Sequence, residues 1–187
     1  MIRSESRWVS MISLIAIVCV GGGCGVVTHE LQIRRYTTSS LTDARADTIL
    51  NDMTNIAKVV DGSDDVSCEI EFERNGSVMT FSTGDGSIDS SAEFSAVNGL
   101  PGNVKVVNEI NWCGSLAPGI IGCAPVPGNS LVVVRFTNSM EGVLWIHEFG
   151  HNKGLPHRDI ANAIMRPFIG VDHRRMNSSE CNAYRVK

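Results

Sequence analysis

The 187-residue chain is 43% hydrophobic and 19% charged, a balance that suits one globular domain of ordinary size and excludes a wholly disordered or collagen-like polymer. Its 20 acidic residues against 16 basic ones give a net charge of −4. No Lys/Arg run is longer than a pair, so the electrostatic footprint of a nucleic-acid binder is absent and no nucleic-acid partner is expected.

Arg3 and Arg7 supply a basic start, residues 8–20 form an apolar run broken only by Ser10 and Ser13, and small residues close it at 21–25. Residues 1–25 therefore read as an export signal. The run is shorter than the roughly 20 residues a membrane-crossing helix needs, so membrane attachment is expected only through lipid. Cys24, preceded by Gly22 and Gly23, resembles the site at which bacterial lipoproteins are cleaved and acylated. Soluble release is the other outcome, and the expected location is secreted, periplasmic or lipid-anchored at the cell surface. In an exported chain the even set Cys68, Cys113, Cys123 and Cys181 reads as two disulfides with three pairings open. Closeness in sequence favours Cys113 with Cys123, which leaves Cys68 with Cys181; free buried thiols are the alternative.

Residues 26–40 are polar with little periodicity and read as a linker or an extended first strand. After Leu41 the pattern changes: Thr42 can cap, and Ala46, Ile49, Leu50, Met53, Ile56, Ala57 and Val60 recur at three- and four-residue spacing. This predicts a long amphipathic helix ending near Gly62, its stripe facing a core. Runs of strand character follow at 66–73, 78–82, 105–111 and 131–136, separated by Asn75-Gly76, Gly84-Asp85-Gly86 and Pro101-Gly102, all turn chemistry. The Ser/Gly/Asp-rich stretch 82–103 reads as a surface loop. Its carboxylates are expected to be solvated, with a calcium ion there the minor reading. Residues 119–124 are short, apolar and glycine-punctuated, then followed by Pro125 and Pro127, which suits an edge strand.

One segment outweighs the rest: residues 147–157 read His-Glu-Phe-Gly-His-Asn-Lys-Gly-Leu-Pro-His. Asn138 and Glu141 offer a capping box, and Val143, Leu144, Ile146 and Phe149 an apolar face, so the segment should begin on a helix. A four-residue spacing brings His147 and His151 within about 40° of each other, so both imidazoles can bind one metal ion. Glu148 sits one position off that face, where a carboxylate reaches water beside the metal without ligating it. Gly154 suits the left-handed end of the helix and lets the chain bring back His157 as third ligand. Three histidines leave a fourth tetrahedral position for water, as in catalytic zinc sites. Zinc lowers the pKa of that water, and Glu148 as general base takes its proton.

This pattern resembles the zinc signature of the metzincin metalloproteases. Downstream, His157 is followed by Asp159, Asn162-Ala163, Ile164, Met165, Arg166 and Pro167, which resembles the matrixin subgroup. The resemblance implies an α+β catalytic domain over residues 41–187: a twisted, mostly parallel sheet with an antiparallel edge strand, a long helix, a zinc-binding helix, a Met-turn and a C-terminal helix. It implies a zinc endopeptidase with one catalytic zinc on His147, His151 and His157, a zinc-bound water activated by Glu148, and Met165 supporting the metal from below. It also places Gly119, Ile120, Ile121 and Gly122 on an edge strand that pairs with a peptide or protein substrate in extended conformation. Arg166 stands where matrixins usually carry tyrosine, so a basic rim is expected at the specificity pocket. The protein is expected to act as a monomer.

Residues 177–184 begin with a good cap and read as a final short helix, which the resemblance places beneath the Met-turn, with Tyr184 as packing. His29 and His173 are isolated in sequence and read as surface histidines. Two other readings stand beside the protease. One is a zinc-binding, non-catalytic surface or interaction module, against which the intact Glu148 speaks. The other is a zinc protease whose last ligand is a glutamate, Glu180, which His157 makes unnecessary.

Overall fold

In the computed structural model, which describes residues 25–187, the polar segment 26–40 holds two strands, β1 (Val27–Leu31) and β2 (Ile33–Tyr36). The expected export signal and Cys24 lie outside the described residues. Alternate residues His29, Leu31 and Ile33 are buried along these two strands, a pattern that the polar His29 conceals in the sequence. His29 is 7% exposed rather than on the surface. Its ring packs against Phe72 and Phe149 at 5.6 and 4.9 Å between centroids, and its Nε2 donates to the Tyr184 carbonyl at 2.7 Å, which satisfies the buried imidazole.

Helix α1 (Asp43–Ala57) starts where expected, with the Thr42 hydroxyl accepting the Arg45 amide, and buries Ala46, Ile49, Leu50, Met53, Ile56 and Ala57. It stops earlier than expected, leaving Val60 exposed. The amides of Lys58 and Val59 tighten onto Asn55 and Ile56 carbonyls, and the amide of Cys68 takes the carbonyl of Ala57, so the chain turns back toward the sheet. Strands β3 (Ile70–Arg74) and β4 (Met79–Phe81) run parallel to β1 and β2 respectively.

The stretch read as a surface loop holds β5 (Ser87–Ile88) and an eight-residue helix, α2 (Ser91–Asn98). The Ser90 side chain caps the Glu93 amide, and the Glu93 carboxylate reaches back to the Asp89 amide at 2.7 Å. Capping rather than apolar periodicity specifies this helix, since Val97 is its only buried residue.

The run expected as one strand at 105–111 divides into β6 (Val104–Val107) and β7 (Glu109–Trp112). It breaks at Asn108, whose amide bonds to the Gly86 carbonyl. Residues 119–124 likewise divide, between β8 (Leu116–Ile120) and β9 (Gly122–Cys123). With β10 (Leu131–Val134) the main sheet has the order β4-β2-β6-β10-β9, while β5, β7 and β8 form a second sheet. All main-sheet pairs are parallel except the antiparallel edge β9. This is the α+β arrangement, a mostly parallel sheet with an antiparallel edge strand, that the resemblance implies.

Helices α3 (Glu141–Asn152) and α4 (Ser178–Tyr184) complete the fold. Val104, Val106, Leu131 and Val133 face α1 and α3, whereas Val107, Val132 and Cys123 face the second cluster with Ile88 and Val97. A sheet covered on both faces explains why β10 reads as an unbroken apolar run. Lys105 is the exception inside: fully buried, its ammonium donates to the carbonyls of Asn98 and Gly102 and to the Ser130 hydroxyl. Burial pulls its pKa down to about 8.

Among the described residues the disulfides Cys113–Cys123 and Cys68–Cys181 follow the favoured pairing. The expected capping box at Asn138 is absent: Met140 occupies the N-cap of α3 without a side-chain bond. Glu141 is instead buried beneath two arginines, with Arg135 Nε at 2.6 Å, Arg45 Nη2 at 2.7 Å and the Phe136 amide at 3.2 Å. Burial is the largest single influence and raises the Glu141 pKa, but Arg135, Arg45 and the Phe136 amide together bring it below the ordinary carboxylate value. A lowered folded pKa stabilises above the unfolded value and loses that stabilisation as pH falls through the folded one. Glu141→Gln should therefore destabilise by about 3 kcal/mol at pH 7, the low end for a broken buried pair because both arginines are partly exposed. Urea unfolding should show the gap to wild type closing in acid.

Candidate metal centre and active site

Helix α3 is buried on all sides, and two glycines make that possible. At Gly142 a Cβ would lie 2.6 Å from Asp52 Cβ on α1, and at Gly150 one would lie 2.4 Å from both Met165 Sδ and the Tyr184 hydroxyl. The helix ends as its sequence predicts. Gly154 has φ +81°, its amide bonds to the His151 carbonyl at 2.9 Å, and the Leu155 amide bonds to the Gly150 carbonyl at 3.0 Å. This is the paired Schellman pattern, which requires a left-handed residue after the cap.

The same turn orients the ligands. His151 Nδ1 lies 2.8 Å from the Leu155 carbonyl, and His147 Nδ1 lies 2.7 Å from the Ile164 carbonyl. A carbonyl oxygen only accepts, so Nδ1 carries the proton in both rings and each Nε2 presents a free lone pair. The Ile164 carbonyl is itself placed by the bond from the Ile164 amide to Arg175, the outer support that metal-binding histidines characteristically have.

His157, after the turn, brings its Nε2 to 3.2 Å from that of His151. One ligand atom from each of His147, His151 and His157 lies within 4.8 Å of the others. Nitrogens at tetrahedral zinc, with bonds of about 2.0–2.1 Å, sit about 3.4 Å apart, so the donor set fits zinc. Burial first, then the neighbouring imidazoles, lowers the His147 pKa to about 4, and burial lowers those of His151 and His157 as well. The rings are thus neutral near pH 7, the form that binds metal.

Beneath the triad, Met165 is fully buried. The Tyr184 hydroxyl donates to the Ile146 carbonyl at 2.8 Å and lies 3.4 Å from Met165 Sδ. Helix α4, which carries Tyr184, opens with a full capping box between Asn177 and Glu180. Cys181 ties it to Cys68. Glu180 pairs with Arg158 at 2.7 Å and takes no part in the triad.

A cavity of about 840 Å³ lies over His147, Glu148, His151 and His157. Gly119, Ile120, Ile121 and Gly122 form one side of it, and Pro167, Phe168 and Ile169 line it as well. Arg166 is not among its lining residues. Its guanidinium lies 4.3 Å over the Phe168 ring and 3.9 Å from Asp159, so the wall expected to be basic is apolar. His173 is 5% exposed, not a surface residue. It packs against Phe168 at 5.8 Å between centroids and against Gly170, supporting that wall from behind. Phe136, Phe168 and Ile169 had no separate signal in the sequence, because each is defined as lining only by tertiary packing.

Glu148 is 5% exposed, and no described residue hydrogen-bonds its carboxylate. Burial pushes its pKa up to about 8, whereas a dication beside it acts in the opposite sense. A raised folded pKa means that the metal-free protein loses stability as pH rises from about 4.5 toward 8. Glu148→Gln should therefore stabilise the metal-free protein by ~3 kcal/mol at pH 7, with no gain near pH 4. Thermal melting at the two pH values reads this directly, and equal melting temperatures at pH 7 would contradict it.

No family model and no curated protein matches the sequence. Among solved structures, the chain is similar to archaemetzincin from Methanopyrus kandleri: 15% identity, TM-score 0.52, 88% of this chain and 96% of that one covered. It is also similar to archaemetzincin from Archaeoglobus fulgidus in complex with malonate, at 17% identity and TM-score 0.50, over 83% of this chain and 99% of that one. At such identities the likeness is one of fold. Within that fold, His147, His151 and His157 form a group of donors that could hold a metal ion.

Proposed function

We propose that the protein is an exported zinc endopeptidase of the matrixin-like metzincin type, with one zinc on His147, His151 and His157 and Glu148 as general base. The observation that carries this reading is the convergence of three imidazoles and one buried, unpaired carboxylate on a single cavity beside an edge strand. The run from His157 to Pro167 supports the matrixin-like subgroup. The sequence of residues 1–25 and two disulfides support export. No helix among the described residues is long and apolar enough to cross a membrane, and attachment through Cys24 lipid remains part of the proposal. The protein works as a monomer on an extended peptide or protein chain.

The neutral imidazoles of His147, His151 and His157 would hold the zinc, which would supply Lewis acidity for polarising the scissile carbonyl and acidifying water. Residues 119–122 along the cavity bind the extended substrate by backbone pairing at the sheet edge. Glu148 Oε takes the proton of the attacking water and returns it to the leaving amine. Met165 and Tyr184, below, hold the His147 and His151 turn of α3 in place. The apolar wall of Pro167, Phe168 and Ile169 excludes water from the side chain beside the cut.

The test is incubation of the zinc-loaded protein with an unfolded protein mixture, with cut sites read by mass spectrometry. Discrete cuts that disappear on chelation support an endopeptidase. An intact substrate pool, with one zinc bound and the fold unchanged, would favour a non-catalytic zinc module instead.

A further inference from the structure

We propose that Gly122 is a positioning residue for Glu148: the missing side chain at this one point of the edge strand makes the seat in which the carboxylate stands. The proposal rests on the reading of Glu148 as general base. A Cβ built on Gly122 would lie 2.3 Å from Glu148 Oε1, 2.7 Å from Cδ and 2.8 Å from Cγ. Gly122 does not have the positive φ that would otherwise call for glycine, in contrast to Gly119, which has φ +82° and nothing within 4 Å of its Cβ position. Glycine is required at 119 by the backbone and at 122 by space.

Neither side of this contact yields readily. The edge strand β9 is fixed through Gly122↔Val133 and Cys123↔Val132 pairing to β10, by the bond from the Val134 amide to the Ile121 carbonyl, and by the Cys113–Cys123 disulfide. On the other side, Glu148 projects from a helix buried along its whole length. With no hydrogen bond to hold it, the carboxylate takes its place from packing alone, and the backbone of Gly122 is the wall it packs against. A methyl group there displaces the carboxylate before it displaces the strand.

The decisive experiment is the crystal structure of Gly122→Ala without metal, which needs no turnover. The expected result is a Glu148 carboxylate moved by about 1 Å or more with β9 and α3 backbones in place, the shift that restores ordinary van der Waals separation. A carboxylate in its original place, with β9 pushed outward, overturns the proposal. In the zinc-loaded protein the same variant should lose about 10–100-fold in kcat with KM and zinc affinity little changed, since an ångström of misplacement costs on this order. In a Glu148→Ala background the added Gly122→Ala should cost nothing further. An equal loss in both backgrounds, or a loss confined to KM, would mean that the added methyl group acts through substrate pairing alone and would overturn positioning.

If Gly122→Ala alone fails to fold, the paired variant Gly122→Ala/Glu148→Ala, which removes the clash, is expected to melt like Glu148→Ala. Its failure to do so contradicts the proposal. A wild-type protein that makes no cuts overturns the endopeptidase reading, while the displaced or undisplaced carboxylate still decides the positioning claim.

Discussion

Glu148→Ala is expected to reduce peptide turnover by about 10²–10⁴-fold, the range for removal of a general base, while zinc stays bound at one ion per chain. The separation of the two properties follows from the site. The donor nitrogens belong to His147, His151 and His157, the first two rings are oriented by the Ile164 and Leu155 carbonyls, and the Glu148 carboxylate hydrogen-bonds none of these groups. Its carboxylate faces the cavity from one position off the ligand face, free of protein hydrogen bonds and available to water. Zinc content by elemental analysis, measured on the same samples as the steady-state rates, separates the two outcomes. A variant that keeps full activity removes Glu148 from the mechanism, and one that loses zinc makes it a structural residue.

Removal of the Cys68–Cys181 bridge is expected to lower the unfolding free energy by about 4–5 kcal/mol, because the bond closes a loop of 113 residues. The Cys113–Cys123 bridge, separated by 10 residues, should contribute about 3 kcal/mol or less by the same reasoning. Domains of this size are stable by roughly 5–15 kcal/mol, so the long bridge decides whether the fold survives at 37 °C. Its position sharpens the effect. Cys181 lies in α4, whose Tyr184 underlies Met165 and the Ile146 turn of the zinc helix, so fraying of α4 loosens the floor of the metal site. Cys68→Ala/Cys181→Ala should therefore show a lowered urea midpoint and a zinc affinity that falls with temperature before global unfolding. An unfolding free energy within about 1 kcal/mol of wild type would mean that packing alone holds α4.

The local features of the site were legible in the sequence because each is encoded within one turn or one helix. The four-residue spacing of His147 and His151, the helix-ending Gly154 and the α1 stripe all depend on neighbours fewer than ten residues away. Features set by distant partners were not legible. His29 reads as an isolated polar residue until Phe72, Phe149 and the Tyr184 carbonyl close around it. Glu141 reads as a cap until Arg45, from the first turn of α1 and 96 residues away in sequence, claims its carboxylate. The split of residues 105–111 at Asn108 is invisible to periodicity because the break comes from a bond to Gly86, in the turn before β5. Helix α2 was missed for the opposite reason, since capping at Ser90 and Glu93 specifies it with almost no apolar face.

Zinc K-edge absorption spectroscopy of the protein loaded with one equivalent of zinc tests the metal centre most directly. The account predicts three imidazole nitrogens and one oxygen at about 2.0–2.1 Å, and loss of one imidazole in His157→Ala. A spectrum with sulfur ligands, or one that His157→Ala leaves unchanged, would contradict it.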